Sequence, residues 1–211
     1  MVEYCVVAAA IYVGVLLLAK LFCTLDQAGI PLDPMSNTVL LAGAIFGTGL
    51  IRAGRLPLWW TVPFFVYLLY AAIMDAKTKT VYDSIHYPIL LLLFAALFMQ
   101  VSARPAQWPA VLVPLGVYGA FLIAQWRLHC YGFADTLTFA TAGLFSCNLS
   151  VHGGGMLPFE GLAYLLGLAN SFFIIANIGN FAGLKLRESA AFIPAIALAV
   201  GVLAAKAVAI F

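Results

Sequence analysis

Phe64-Phe65-Val66-Tyr67-Leu68-Leu69-Tyr70-Ala71-Ala72-Ile73-Met74-Asp75 is an unbroken apolar run closed by a carboxylate. Extended back to Pro57, it has the length of a membrane-spanning helix. About 20 apolar residues in a helix cross the hydrocarbon core with every backbone group paired internally. Similar runs occupy positions 4–23, 37–51, 57–74, 84–103, 109–127, 135–151, 158–181 and 191–210. The second and sixth are the weakest, being short or rich in Thr and Ser. The breaks between runs are short and carry turn residues, as in Gly29-Ile30-Pro31-Leu32-Asp33-Pro34, Arg104-Pro105 and His152-Gly153-Gly154-Gly155. The pattern predicts an all-α fold: one polytopic transmembrane bundle over residues 1–211, with about eight spans on the length criterion.

Composition excludes the main alternative. Hydrophobic residues make up 65% of the 211 positions and charged residues 9%. A soluble domain carries about 25% charged residues, so this chain cannot cover itself with polar surface. A net charge of +2 without a basic cluster gives no footing for nucleic acid. Cys5, Cys23, Cys130 and Cys147 are scattered, which supports neither a zinc site nor a disulfide framework. They read as buried free thiols. The amino terminus, Met1-Val2-Glu3, has no basic region, and Lys20-Leu21-Phe22-Cys23 is a poor cleavage site, so the first run reads as a retained helix.

With eight spans, Lys20, Lys77, Lys79, Arg127, Lys185 and Arg187 collect on one side, and Arg52, Arg55, Arg104 and Lys206 on the other. The larger basic set marks the cytoplasmic side of a prokaryotic plasma membrane, with both termini outside. Asp26, Asp33, Asp75, Asp83, Asp135 and Glu188 share that side, against Glu3 and Glu160 opposite. An acid-rich face on so apolar a chain marks where chemistry is done.

Asp75 closes its run where the helix leaves the hydrocarbon, and Asp135 follows Tyr131-Gly132-Phe133-Ala134 and opens the sixth run. Ionisable groups at the edge of a span are costly and point to function. Like charges in a partly desolvated site cannot both ionise, so such a pair holds one proton between its members. The ionised carboxylate can then draw a proton from water while the protonated one polarises a peptide carbonyl. Each residue alone has a plainer reading: Asp75 as a partner of Lys77 or Lys79, and Asp135 as a helix N-cap.

The segment Ala72-Ile73-Met74-Asp75-Ala76-Lys77-Thr78-Lys79-Thr80-Val81-Tyr82-Asp83 resembles the first aspartate motif of type IV prepilin peptidases. Gly132-Phe133-Ala134-Asp135 resembles that family's Gly-x-Gly-Asp, and Ala191-Phe192-Ile193-Pro194-Ala195-Ile196-Ala197-Leu198 resembles the Pro-Phe-Gly-Pro-x-Leu opening its last helix. The resemblance covers roughly residues 57–210 as a six-helix peptidase-like core behind two N-terminal helices. It implies that Asp75 and Asp135 are the catalytic pair, that Gly132, Ala134, Lys77 and Lys79 shape the site or meet substrate, and that no cofactor or metal is needed. It further implies a prepilin-like substrate, cleaved between its basic leader and its apolar helix at the cytoplasmic face.

Four positions depart from the pattern. Ala134 replaces the second glycine, Leu137 stands where a lysine is common, and Tyr82 and Ala191 replace prolines. Alanine adds one methyl, which a site needing close approach tolerates and one needing positive φ does not. The zinc module of larger members is missing between Thr24 and Ser36, so methyltransferase activity is not expected. An inactive pilin-binding relative and a proton-coupled transporter are the other readings of these residues.

Elsewhere, Asn170, Asn177 and Asn180 lie on one broad face of the seventh run and read as interhelical glue. His86 and His129 lack metal-ligand spacing and stay outside the site. Glu160 reads as a cap on a helix N-terminus. Trp59, Trp60, Trp108 and Trp126 read as interfacial anchors.

Overall fold

The computed structural model describes residues 2–26, 33–79, 81–153, 156–178 and 191–209. Within them the chain is all-α: α1 (Val2–Asp26), α2 (Pro34–Ala53), α3 (Leu58–Thr78), α4 (His86–Ser102), α5 (Trp108–Arg127), α6 (Phe133–Gly153), α7 (Pro158–Ala176) and α8 (Ile193–Ala209). Single 3₁₀ turns, Asp83–Ile85 and Pro105–Gln107, lead into α4 and α5. Every apolar run of the sequence became a helix.

Local chemistry sets the helix ends. Asp33 caps α2, its Oδ1 accepting the Ser36 N–H at 2.8 Å, with Pro34 in the first turn where its missing N–H costs nothing. Glu160 reaches back to accept the Leu157 N–H at 3.3 Å, as expected for a residue capping α7. The C-terminus of α2 closes with Arg55 N–H on the Arg52 carbonyl and Leu56 N–H on that of Ile51. The end of α5 repeats this, with His129 on Trp126 and Cys130 on Gln125. Both are Schellman closures, and Arg55 (φ 47°) and His129 (φ 57°) take the left-handed position that glycine usually fills.

Six helical segments are long and apolar enough to cross a bilayer: Glu3–Phe22, Pro34–Ala53, Leu58–Thr78, Asp83–Ser102, Pro105–Arg127 and Pro158–Ala176. The molecule is a membrane protein, with apolar side chains such as Leu17, Leu91 and Phe94 turned outward to lipid. The other two runs differ for separate reasons. α8 has 17 residues and, unlike α4, has no leading 3₁₀ turn among the described residues to extend it to a spanning length. α6 has the length but is rich in Thr, Ser and Asn.

The place of α6 in the bundle accounts for its polarity. It packs against α4, α5, α7 and α8, and from Thr138 to Val151 every side chain except Ala140 is buried. A helix wrapped by protein has no need to be lipid-soluble. Most of its polar groups find partners, with the buried Ser146 hydroxyl the exception: Thr138, Thr141 and Ser150 donate to carbonyls one turn back. Asn148 donates to Leu93 O on α4 at 3.0 Å and accepts from Gln100 Nε2 at 2.6 Å.

Aromatic packing locks α3 against α6. Phe64 stacks on Phe145 with ring centroids 3.9 Å apart, and Trp60 meets Phe145 edge-on at 5.6 Å. Trp60 is fully buried, so it belongs to the core and is not an interfacial anchor; the aromatic pocket of α6 claims it before the lipid can. Trp59 and Trp126 are exposed at helix ends, as anchors should be. The reading of the cysteines as buried holds for Cys147, whereas Cys5 and Cys130 are exposed. Cys5 lies on the outward face of α1 and Cys130 in the turn after α5, where no helix covers them.

Candidate active site

The contacts between α3 and α6 fix their relative direction. Trp60 and Phe64 lie beside Phe145, and farther along α3 the Tyr67 hydroxyl donates to Thr138 Oγ1 at 3.4 Å. The two helices are therefore antiparallel. Continued toward the α3 C-terminus, that register brings Asp75 to the turn that starts at Tyr131 and holds Asp135. The carboxylates of Asp75 and Asp135 fall within electrostatic reach of each other. Residues sixty positions apart in sequence thus share one end of the bundle.

Asp75 is buried, with 8% of its surface exposed, on the last turns of α3. Its Oδ2 accepts the Ile193 N–H at 2.8 Å, and the Phe192 N–H is directed at the same carboxylate. These are the free amides at the start of α8, so Asp75 caps a helix from across the bundle. The Asp75 carbonyl accepts the Lys79 N–H at 2.9 Å, which closes α3 with Lys79 in the left-handed conformation (φ 53°).

Asp135 is the third residue of α6 and half-buried. Its Oδ2 accepts the Gly132 N–H at 3.2 Å, so the acid caps its own helix from the first turn rather than from the position before it. Gly132 serves close approach: a Cβ there would stand 3.1 Å from Asp135 Oδ2. Ala134 lies inside α6, and the positive-φ residues other than glycine are Arg55, Lys79 and His129 among those described. The backbone at Ala134 therefore accepts alanine without strain.

The lysines divide. Lys77 Nζ forms an ion pair with Asp33 at 3.4 Å, tying α3 to the start of α2, whereas Lys79 acts electrostatically on Asp75. Asn180, Lys185, Arg187 and Glu188 lie outside the described residues.

Side chains that sequence reasoning left out complete the wall. Tyr131 lies 5.3 Å from Phe192 and 5.1 Å from Phe139, ring to ring, and exchanges hydrogen bonds with Asn170 at 3.0–3.1 Å. Phe192 also packs edge-on against Phe173 at 4.5 Å. This cluster joins the Asp135 turn to α7 and to the N-terminus of α8, which Asp75 holds. Asn170 thereby ties α7 to the turn before α6. Below the acids, His86 is fully buried with Nδ1 2.6 Å from the Tyr67 hydroxyl, so it supports α3 and α4. Phe192 sat within a quoted motif and Tyr131 directly before one, but aromatic residues are too common in this chain to signal a role.

The fold and these residues define a membrane-embedded helical bundle with two interacting carboxylates at one end. Comparison with protein-family models, with curated proteins and with solved structures finds no match to this chain.

Proposed function

We propose that the protein is an aspartic endopeptidase of the membrane that removes the leader of prepilin-like precursors at the cytoplasmic face. What supports the reading is that Asp75 and Asp135 lie within electrostatic reach of each other at one end of the bundle. One carboxylate serves as general base toward water, and the other as general acid toward the scissile carbonyl and the departing amine. No covalent intermediate arises, because water is the nucleophile. Gly132 lets the backbone come close to Asp135, and Lys79 adjusts the field at Asp75. The substrate's apolar helix lies in the bilayer against the bundle, with its leader junction at the depth of the acids. The acid-rich end draws the basic leader toward it.

The tethering of Asp75 to the α8 amides favours a second reading, in which this acid only holds the fold. Co-expression with a prepilin-like substrate separates the two. Asp75→Asn and Asp135→Asn each abolish leader removal while the protein stays in the membrane. Cleavage retained by either variant rules out the dyad.

A further inference from the structure

The end of the bundle away from Asp75 contains a cavity of about 690 Å³ between the start of α1, the end of α2 and the start of α3. Three spans begin or finish there, at Glu3, Ala53 and Leu58, so its mouth lies at the level of the lipid headgroups. The interior is apolar, with buried Ile51 and Leu56, and the rim carries Arg52, Arg55, Glu3 and Tyr4. Arg52 Nη1 is 2.8 Å from Glu3 Oε2, and its guanidinium stands 4.5 Å over the Tyr4 ring. The Glu3 side chain is largely in solvent and that of Arg52 half so, and such a pair holds weakly and leaves Arg52 able to take another anion. Arg55 is exposed and has no carboxylate partner among the described residues. Its backbone is fixed by the Schellman closure, which sets this cation at the rim despite the cost of a left-handed conformation.

We propose that this cavity binds an anionic phospholipid, its phosphate held by Arg55 and Arg52 and its upper acyl chains lying along Ile51, Leu56 and the α1 face. A soluble anion would use the guanidinium groups but not the apolar walls. A zwitterionic lipid would fill the walls without matching the net positive rim. The site is independent of the acids at the other end and so of the proposed peptidase activity.

The test uses the full chain, delipidated in detergent and titrated with dioleoylphosphatidylglycerol, dioleoylphosphatidylcholine or inorganic phosphate, with binding read by native mass spectrometry and by thermal melting. One phosphatidylglycerol is retained about thirtyfold more tightly than phosphatidylcholine, as two cations near a membrane surface would give. Arg55→Gly removes the charge and suits the left-handed backbone, so the lipid-free variant melts no lower than the original protein. That variant loses about fivefold of the preference, the share of one arginine, whereas Arg104→Gln, outside the cavity, keeps it. Equal retention of the two lipids overturns the proposal, as does an Arg55→Gly variant with undiminished preference. A melting shift from inorganic phosphate equal to that from phosphatidylglycerol overturns it as well, since the acyl chains would then contribute nothing.

Discussion

Asp75 has two jobs in this account, and substitution can pull them apart. Asparagine keeps an oxygen that accepts the Ile193 N–H, so Asp75→Asn leaves thermal stability nearly unchanged. Asp75→Ala removes the acceptor and strands the first amides of α8, which costs about 1–2 kcal/mol, the range for a lost cap. A thermal melt of both variants in detergent checks this difference. If the acid were only structural, the asparagine variant would also keep full cleavage; a stable variant without cleavage assigns Asp75 to chemistry. Both acids were legible in the sequence, because an ionisable group at the edge of an apolar run stands out against its neighbours. The bond from Ile193 was not legible, since every residue except proline carries an N–H and only folding decides which acid it meets.

At the scale of elements, the helices declared themselves through unbroken apolar runs, and their starts through Asp33, Pro34, Pro158 and Glu160. Their ends were harder to read. Arg55, Lys79 and His129 occupy left-handed positions where sequence rules look for glycine. Arg55 and Lys79 are cations, and a cation after the last turn complements the partial negative charge of the helix C-terminus. That gain offsets only part of the backbone cost. His129→Gly raises the stability of the protein by about 1 kcal/mol, because it relieves the left-handed strain. Chemical denaturation in mixed micelles measures it, and a less stable glycine variant contradicts the strain argument. The short run 135–151 was weak by hydropathy for a reason visible only after packing: α6 is surrounded by helices, so its Thr, Ser and Asn face protein.

For the molecule as a whole, contacts to α6 carry the assembly. In lipid, helices gain little from hydrophobic transfer when they associate, so packing and interhelical hydrogen bonds decide stability. Phe145→Ala deletes the ring stacked on Phe64 and flanked by Trp60 and Phe65. It should cost about 1–3 kcal/mol, less than the same change in a water-soluble core, because only the cavity and dispersion terms remain. Asn148→Leu leaves Gln100 without its acceptor and costs about 1–2 kcal/mol, and the double variant with Gln100→Leu recovers part of that loss. Melting curves of the single and double variants supply the cycle; additive losses would mean the two residues do not couple. The sequence by itself determined the class, an all-α membrane bundle, because the length and apolarity of each run follow from the bilayer that must solvate it. It also marked Asp75 and Asp135 as the acids to watch. Only the tertiary structure decided that α6 lies at the centre, that Trp60 is core and not anchor, and that Asp75 holds the head of α8. Those outcomes depend on which helix faces which, and residue spacing within one helix carries no information about its neighbours.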